Sequence, residues 1–360
     1  WRYVSKVDEE HICKNVFIGK TDVSGMTKEE AVKAVNNTLG DYRNKQLVLK
    51  VKDQGADVSI EEMGAEVENI DKLAEKAVGY GKNGSIWSRY QKIHNLNKKK
   101  YVIDESFKVD EAKLRELIQE RAVPLEQKAV NASASYNGSG FDLTDEAEGY
   151  TVDVDKSVKK IKNFMNKKWN YEDAEVELKL DMEKPTIKKA DLESLQDELG
   201  SYTTNAGWGD RVQNIRRATE LINGTVVMPG EEFSVEQATL PYTEENGYVA
   251  GSAYENGQIV ESIGGGLCQV STTLYNAVLY AELEVTRRAP HSMSVSYVEP
   301  SRDAMIAEGI SDFKFVNNYD TPILIEGYID GNNQLGFYIY GKDTRAAGHS
   351  VKFESETLET

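Results

Sequence analysis

The chain is poor in the residues from which disulfide scaffolds and metal centres are built. Its 360 residues include only two cysteines, Cys13 and Cys268, too few and too unlike in their surroundings for a disulfide framework. A single bridge between them is disfavoured as well, because it would consume the one thiol that is chemically placed. The four histidines form no C-x-x-C, H-x-x-x-H or H-E-x-x-H spacing, so neither a metal site nor a cofactor is expected. No run of eighteen apolar residues occurs, which excludes a membrane-spanning helix, and no signal-peptide core is present. The chain opens at Trp1-Arg2-Tyr3-Val4 without a methionine. It is read as a fragment ahead of which an N-terminal export or anchor segment is expected, one that would tie the protein to the membrane.

Acid, by contrast, is abundant. Sixty acidic residues against 43 basic ones give a formal charge of -17, a field that repels polyanions and disfavours nucleic acid as a partner. Hydrophobic residues at 39% and charged residues at 29% are ordinary for folded domains, and the length calls for two or three of them.

Residues 16 to 31 read as a short strand, a glycine turn and a helix start, with Thr27 and Glu30 spaced as a capping box. Two later stretches look alike: Ser59 to Val67 followed by Asp71-Lys72, and Leu143 to Asp153 followed by Asp155-Lys156. Each places acid before a glycine, a short extended run and a helix start, the pattern of a duplicated α+β unit. Asn131 to Gly140, rich in Asn, Ser and Gly, is expected to be a loop of the N-terminal half. Alternating Val176, Leu178 and Leu180, then charge and Pro185, mark a boundary. The division expected is a strand–helix segment over 1–45, a domain over 46–185, a second domain over 186–342 and a tail over 343–360.

Beyond Ser201 charge thins and glycine, threonine and aromatic residues rise. Arg211 to Asn223 has helical spacing and ends at Gly224. Ser292 to Val298, Phe313 to Val316, Ile323 to Ile329 and Gly336 to Tyr340 read as strands. Between them lies Gly264-Gly265-Gly266-Leu267-Cys268-Gln269, followed by good helix formers up to Leu283. A helix N-terminus lowers a thiol pKa through its partial positive charge and free N–H groups. Gly265 and Gly266 would let a substrate backbone approach, the N–H groups near Cys268 and Gln269 could receive an oxyanion, and Ser271 or Thr272 could cap the helix. The bland alternative is a small buried residue beneath a glycine turn. His291, the one histidine of this half outside the tail, is the candidate base. Asp303 leads as the group that orients it, with Asp312 and Ser292 behind.

These residues carry a resemblance. Tyr202-Thr203-Thr204, Arg211 with Asn214-Ile215, Pro229 to Ser234, Gly264 to Ala277, His291-Ser292, Tyr297 and Asp303-Ala304 resemble, block by block, the VanW family. The N-terminal part is similar to the peptidoglycan-binding domain that often precedes such modules. The resemblance implies a wall location outside the cell, peptidoglycan stem peptides as partner, and in some members an L,D-transpeptidase activity. The Ser-His-Gly-x-Cys motif of the other L,D-transpeptidase type is absent, so the role would fall to Cys268. The thiolate would attack the third stem residue of a tetrapeptide, terminal D-alanine would leave, and a neighbouring amine would complete a 3-3 cross-link. His291 would move the proton, and Arg211, Gln269, Ser292, Tyr297 or Arg302 would contact the stem. Two alternatives stay open: a cysteine peptidase that gives the thioester to water, and a wall-binding module without catalysis. The fold class expected is α+β: a duplicated N-terminal α+β region, then a mixed α/β catalytic domain with its cysteine at a helix N-terminus.

Overall fold

Thr27 and Glu30 close the capping box: the Thr27 hydroxyl accepts from the Glu30 N–H, and the Glu30 carboxylate accepts from the Thr27 N–H. The helix they start, Lys28–Asp41, buries Ala31, Val35 and Leu39 at four-residue intervals. The structure is a computed structural model and describes residues 8–255 and 258–356. The Trp1-Arg2-Tyr3-Val4 opening and the last residues of the tail fall outside them. The chain is a mixed α+β protein with several small sheets, and it divides into two compact units.

The first unit comprises Trp1–Ala129 and Glu148–Lys184. Gln46–Val51, strictly alternating between half-buried and buried, forms a hairpin with Gln54–Ser59 and a parallel pair with Ala174–Glu177. Val16–Ile18 pairs with Thr21–Asp22 and, in parallel, with Tyr101–Ile103. Asp153 accepts from the Lys156 N–H and starts the Val154–Lys167 helix. This helix buries Val158, Ile161 and Met165, each worth about 1.5–3 kcal/mol against an exposed side chain.

The second unit comprises Val130–Ala147 and Pro185–Thr360. Its antiparallel sheet runs Asp197–Asn205, Gln334–Gly341, Ile323–Ile329, Thr225–Val227. Alternation splits Gln334–Gly341 between two faces: Leu335, Phe337 and Ile339 enter the main core, while Tyr338 and Tyr340 join a smaller apolar cluster. Two helices, Arg211–Ile222 and Leu267–Tyr280, lie on the core face. Gly200 permits the close approach of the second of them, since a Cβ there would stand 2.4 Å from the Ala281 nitrogen. A second sheet joins Glu232–Ser234, Lys314–Val316 and Glu284–Arg287.

Two expectations are corrected here. Asn131 to Gly140 is not a loop of the N-terminal half. Ala134–Tyr136 and Phe141–Leu143 form a hairpin of the second unit, so the units are not contiguous in sequence. The Asn/Ser/Gly bias belongs to its turn, where the Asn137 side chain accepts from the Ser139 and Gly140 N–H groups. Ala132, Ala134, Phe141 and Leu143 supply the apolar contacts, with Leu192, Leu195, Leu324 and Tyr340. Nor is Ser292 to Val298 a strand. The stretch from Arg288 to Ala304 is held by side-chain bonds instead of a ladder.

Candidate active site

The glycine turn works through backbone geometry. Gly264 and Gly266 have φ of 85° and 104°, a region that costs other residues strain. A Cβ on Gly266 would also press on the Arg211 carbonyl at 3.1 Å. The buried Asn214 fixes the turn: its amide nitrogen donates to the Gly265 carbonyl at 3.0 Å and the Val249 carbonyl at 2.9 Å, and its oxygen accepts from the Val249 N–H. Gly266 caps the Leu267–Tyr280 helix without a side-chain bond, and Cys268 is the second helical residue. Ser271 and Thr272 are therefore not caps but lie inside the helix. The Cys268 thiol donates to the Ile306 carbonyl at 3.3 Å.

His291 and Asp303 meet. Both the His291 backbone N–H and its Nδ1 lie 2.6 Å from Asp303 Oδ2, and both side chains are about nine-tenths buried. With Nδ1–H donating to the carboxylate, Nε2 is the atom left to accept a proton. Arg288 holds the other carboxylate oxygen at 3.0 Å and the Asp303 carbonyl at 2.7 Å. The cysteine helix grips the same segment: Ser271 Oγ donates to the Ala304 carbonyl, Thr272 Oγ1 accepts from the Ala304 N–H at 3.0 Å, and Asn276 donates to the Arg302 carbonyl at 2.8 Å. Residues 302–306 thus tie the sulfur of Cys268 and the carboxylate of Asp303 to one stretch of backbone.

The electrostatics correct one expectation. Burial pushes the Cys268 thiol up, the Asp303 charge adds to the rise, and the Ile306 contact, the Cys268 N–H and Arg211 oppose it without prevailing. The helix terminus does not outweigh burial. Burial also works to raise Asp303, but the His291 backbone and ring outweigh it and hold that carboxyl below its ordinary range. Burial pushes Tyr297 up, Cys268 and Asp303 add to the rise, and Thr272 and Arg211 oppose it. A cavity of about 400 Å³ lies away from Cys268, on the tyrosine face of the sheet.

Several other candidates are already engaged. The Gln269 N–H donates to the Gly266 carbonyl at 3.0 Å and is not free for an oxyanion. Its buried side chain accepts from Arg211 at 3.1 Å and donates to Thr204 Oγ1 and the Asn205 carbonyl. Arg211 also donates to the Ala206 carbonyl at 2.7 Å. Ser271 is fully buried on backbone oxygens. The Arg302 guanidinium lies among the Tyr202, Tyr280 and Phe353 rings, 5.1–5.6 Å from their centroids, not beside the sulfur. Asp312 accepts from Ser234 Oγ and the Glu236 N–H, the start of the Val235–Thr239 helix, and does not orient His291. Ser292 is exposed. Asn214, Thr272, Arg288 and Ile306 do organising work that sequence reasoning missed. Asn214 and Thr272 had left signals, the one beside Arg211 on a helix and the other beside Cys268, but not these roles.

Residues 210–340 match the family model "VanW like protein", and residues 56–174 match "Putative peptidoglycan binding domain". The chain is 39% identical over 148 residues to the uncharacterized protein YoaR of Bacillus subtilis, covering 41% of this chain and 48% of that protein. It is 28% identical over 177 residues to the vancomycin B-type resistance protein VanW of Enterococcus faecalis, covering 45% of this chain and 64% of that protein. The matches thus span about half of the one relative and less than two thirds of the other. No solved structure matches the chain.

Proposed function

Starting from a chain that carries a VanW-like domain and a peptidoglycan-binding domain, we propose that it functions at the cell wall as a cysteine-dependent acyltransferase. Its reaction is L,D-transpeptidation. The observation that carries this reading is the shared segment 302–306, which holds Asp303 against His291 while its Ile306 carbonyl receives the Cys268 thiol. The start of the Leu267–Tyr280 helix at Cys268 adds a favourable dipole for a developing thiolate. In the first unit, the joints Glu66–Val67 into Ile70–Gly79 and Gly149–Val152 into Val154–Lys167 are consistent with two copies of one element.

A thiol raised by burial cannot act as a preformed nucleophile, so its proton must leave as the substrate arrives. His291 takes that proton on Nε2, and Asp303 stabilises the imidazolium. The S–C bond forms at the third stem residue. The C–N bond to terminal D-alanine breaks, and His291 returns the proton to the leaving amine. An acceptor amine then attacks the thioester, loses a proton to His291 and releases the thiol. Incubation with disaccharide tetrapeptide, read by mass spectrometry, tests this: a 3-3 dimer is expected from the parent and none from Cys268→Ala. Equal dimer from both would overturn it. Free tripeptide stem in place of dimer would make the enzyme a peptidase.

One observation favours a second reading. The raised thiol and the engaged side chains of Gln269 and Ser271 also suit a wall-binding module without chemistry. That reading requires sacculus binding to survive Cys268→Ala and no acyl adduct to form on the parent.

A further inference from the structure

The face of the four-stranded sheet that carries Tyr338 and Tyr340 holds an arrangement that the cysteine chemistry does not use. Tyr328, Tyr338, Tyr340 and Tyr136 stand in a row, with successive ring centroids 5.8, 5.9 and 4.8 Å apart and planes within 27° of parallel. Gly336 makes room for the row, since a Cβ there would lie 2.4 Å from the Tyr328 ring. The strand register places a carboxylate on either side of the central strand: Glu198 lies opposite Tyr340, and Glu326 lies opposite Tyr338. Glu326 also accepts from the Tyr136 N–H, which fixes the hairpin beside it. These six residues line a cavity of about 400 Å³ to which no basic residue contributes. Neither carboxylate is in an ion pair among the described residues; Glu198 accepts from the Ser201 hydroxyl at 2.6 Å. Burial pushes the Tyr340 phenol up, and both carboxylates add to the rise.

Neutral aromatic rings with unpaired carboxylates, and no cation, are the chemistry that recognises an organic ammonium. We propose that this cavity is a binding site for an alkylammonium group, such as the side-chain amine of a diamino acid in a peptide. Ring edges and faces take up the alkyl chain, and Glu198 and Glu326 neutralise the charged head. The site lies on the opposite sheet face from the helix of Cys268 and does not depend on it.

The test uses the full chain, with Nα-acetyl-lysine amide as probe, followed by NMR shifts of the Gly327 and Tyr338 amides. Saturable shifts are expected there, unchanged in Cys268→Ala. They should weaken on raising the salt, and weaken about tenfold or more in the Glu198→Gln/Glu326→Gln double variant. The neutral isostere Nα-acetyl-norleucine amide should produce no comparable shifts. Equal response to both probes, loss of salt dependence, or no shift at these amides would overturn the proposal. So would saturable binding of an N-acetylglucosamine oligomer at the same amides with the lysine probe inert. The salt and isostere arms keep the test decisive even if the double variant fails to fold.

Discussion

The two free thiols of this chain are a natural pair to compare, because burial pushes both up and only one of them has company. Cys13 donates to the Tyr80 carbonyl at 3.5 Å, beside a Tyr80–Tyr101 stack and near Lys82, which works against the rise. Cys268 likewise donates to a carbonyl, that of Ile306. Local acidity does not separate them. What separates them is that the segment receiving the Cys268 thiol also carries Asp303 and, through it, an oriented imidazole. On the proposed mechanism, what sets Cys268 apart is the carboxylate–imidazole pair carried by the segment that receives its thiol.

The comparison breaks most decisively at the sulfur itself. Cys268→Ala is expected to lower dimer formation by about 10⁴-fold or more, while Cys13→Ala leaves it within about twofold, measured as initial rates on disaccharide tetrapeptide. Comparable losses in both variants would erase the distinction. Asp303→Asn should come next, with a fall of about 10²–10⁴-fold as the imidazole loses its tautomer and its counter-charge.

The same substitution sharpens the contrast in the opposite direction. Asp303 raises the Cys268 thiol, so removing its charge should bring that thiol down and speed its alkylation by iodoacetamide at neutral pH, with Cys13 unaffected. Misfolding would also expose the thiol, so the faster alkylation counts only with an unchanged melting temperature and an unchanged Cys13 rate. In the parent, both thiols should alkylate more slowly than a free cysteine at pH 7, with rates climbing about tenfold per pH unit below their pKa values.

Each thiol also neighbours a glycine in the left-handed region, Gly81 at φ 80° and Gly266 at φ 104°. Alanine at either should cost about 1–3 kcal/mol in urea unfolding, and only Gly266→Ala should also lower turnover. The smallest effect is a matter of pH. The Asp303 carboxyl is held below its ordinary value of 3.8 in the folded state, so its contribution to stability is complete above that value and is lost as pH falls through the lower, folded one. The stability gap between parent and Asp303→Asn, followed by thermal melts, should therefore shrink on acidification below pH 3.8 and stay constant above it. A gap that widened on acidification would contradict the lowered carboxyl.

Much of the local structure was legible along the chain because its causes are local. The capping box at Thr27 and Glu30, the Arg211–Ile222 helix and the helix beginning beside Cys268 follow from residue types within a few positions of one another. The engaged state of Gln269, Ser271 and Arg302 was not legible, since it depends on Thr204, Ala304, Tyr202 and Phe353, far away in sequence. The hairpin at 134–143 was misjudged for a related reason: its turn residues resemble any loop, and only Leu195, Leu324 and Tyr340 reveal what its apolar side chains cover.

From its order of residues alone the chain determined which positions could bear chemistry: one cysteine behind three glycines, one histidine after Pro290, and a handful of carboxylates. Tertiary structure alone decided that Asp303 and not Asp312 bonds to His291, and that burial pushes the Cys268 thiol up. The reason is physical. Propensity and spacing act over a turn of helix or a strand, whereas hydrogen-bond partners and desolvation are set by whatever part of the chain folds back against a side chain.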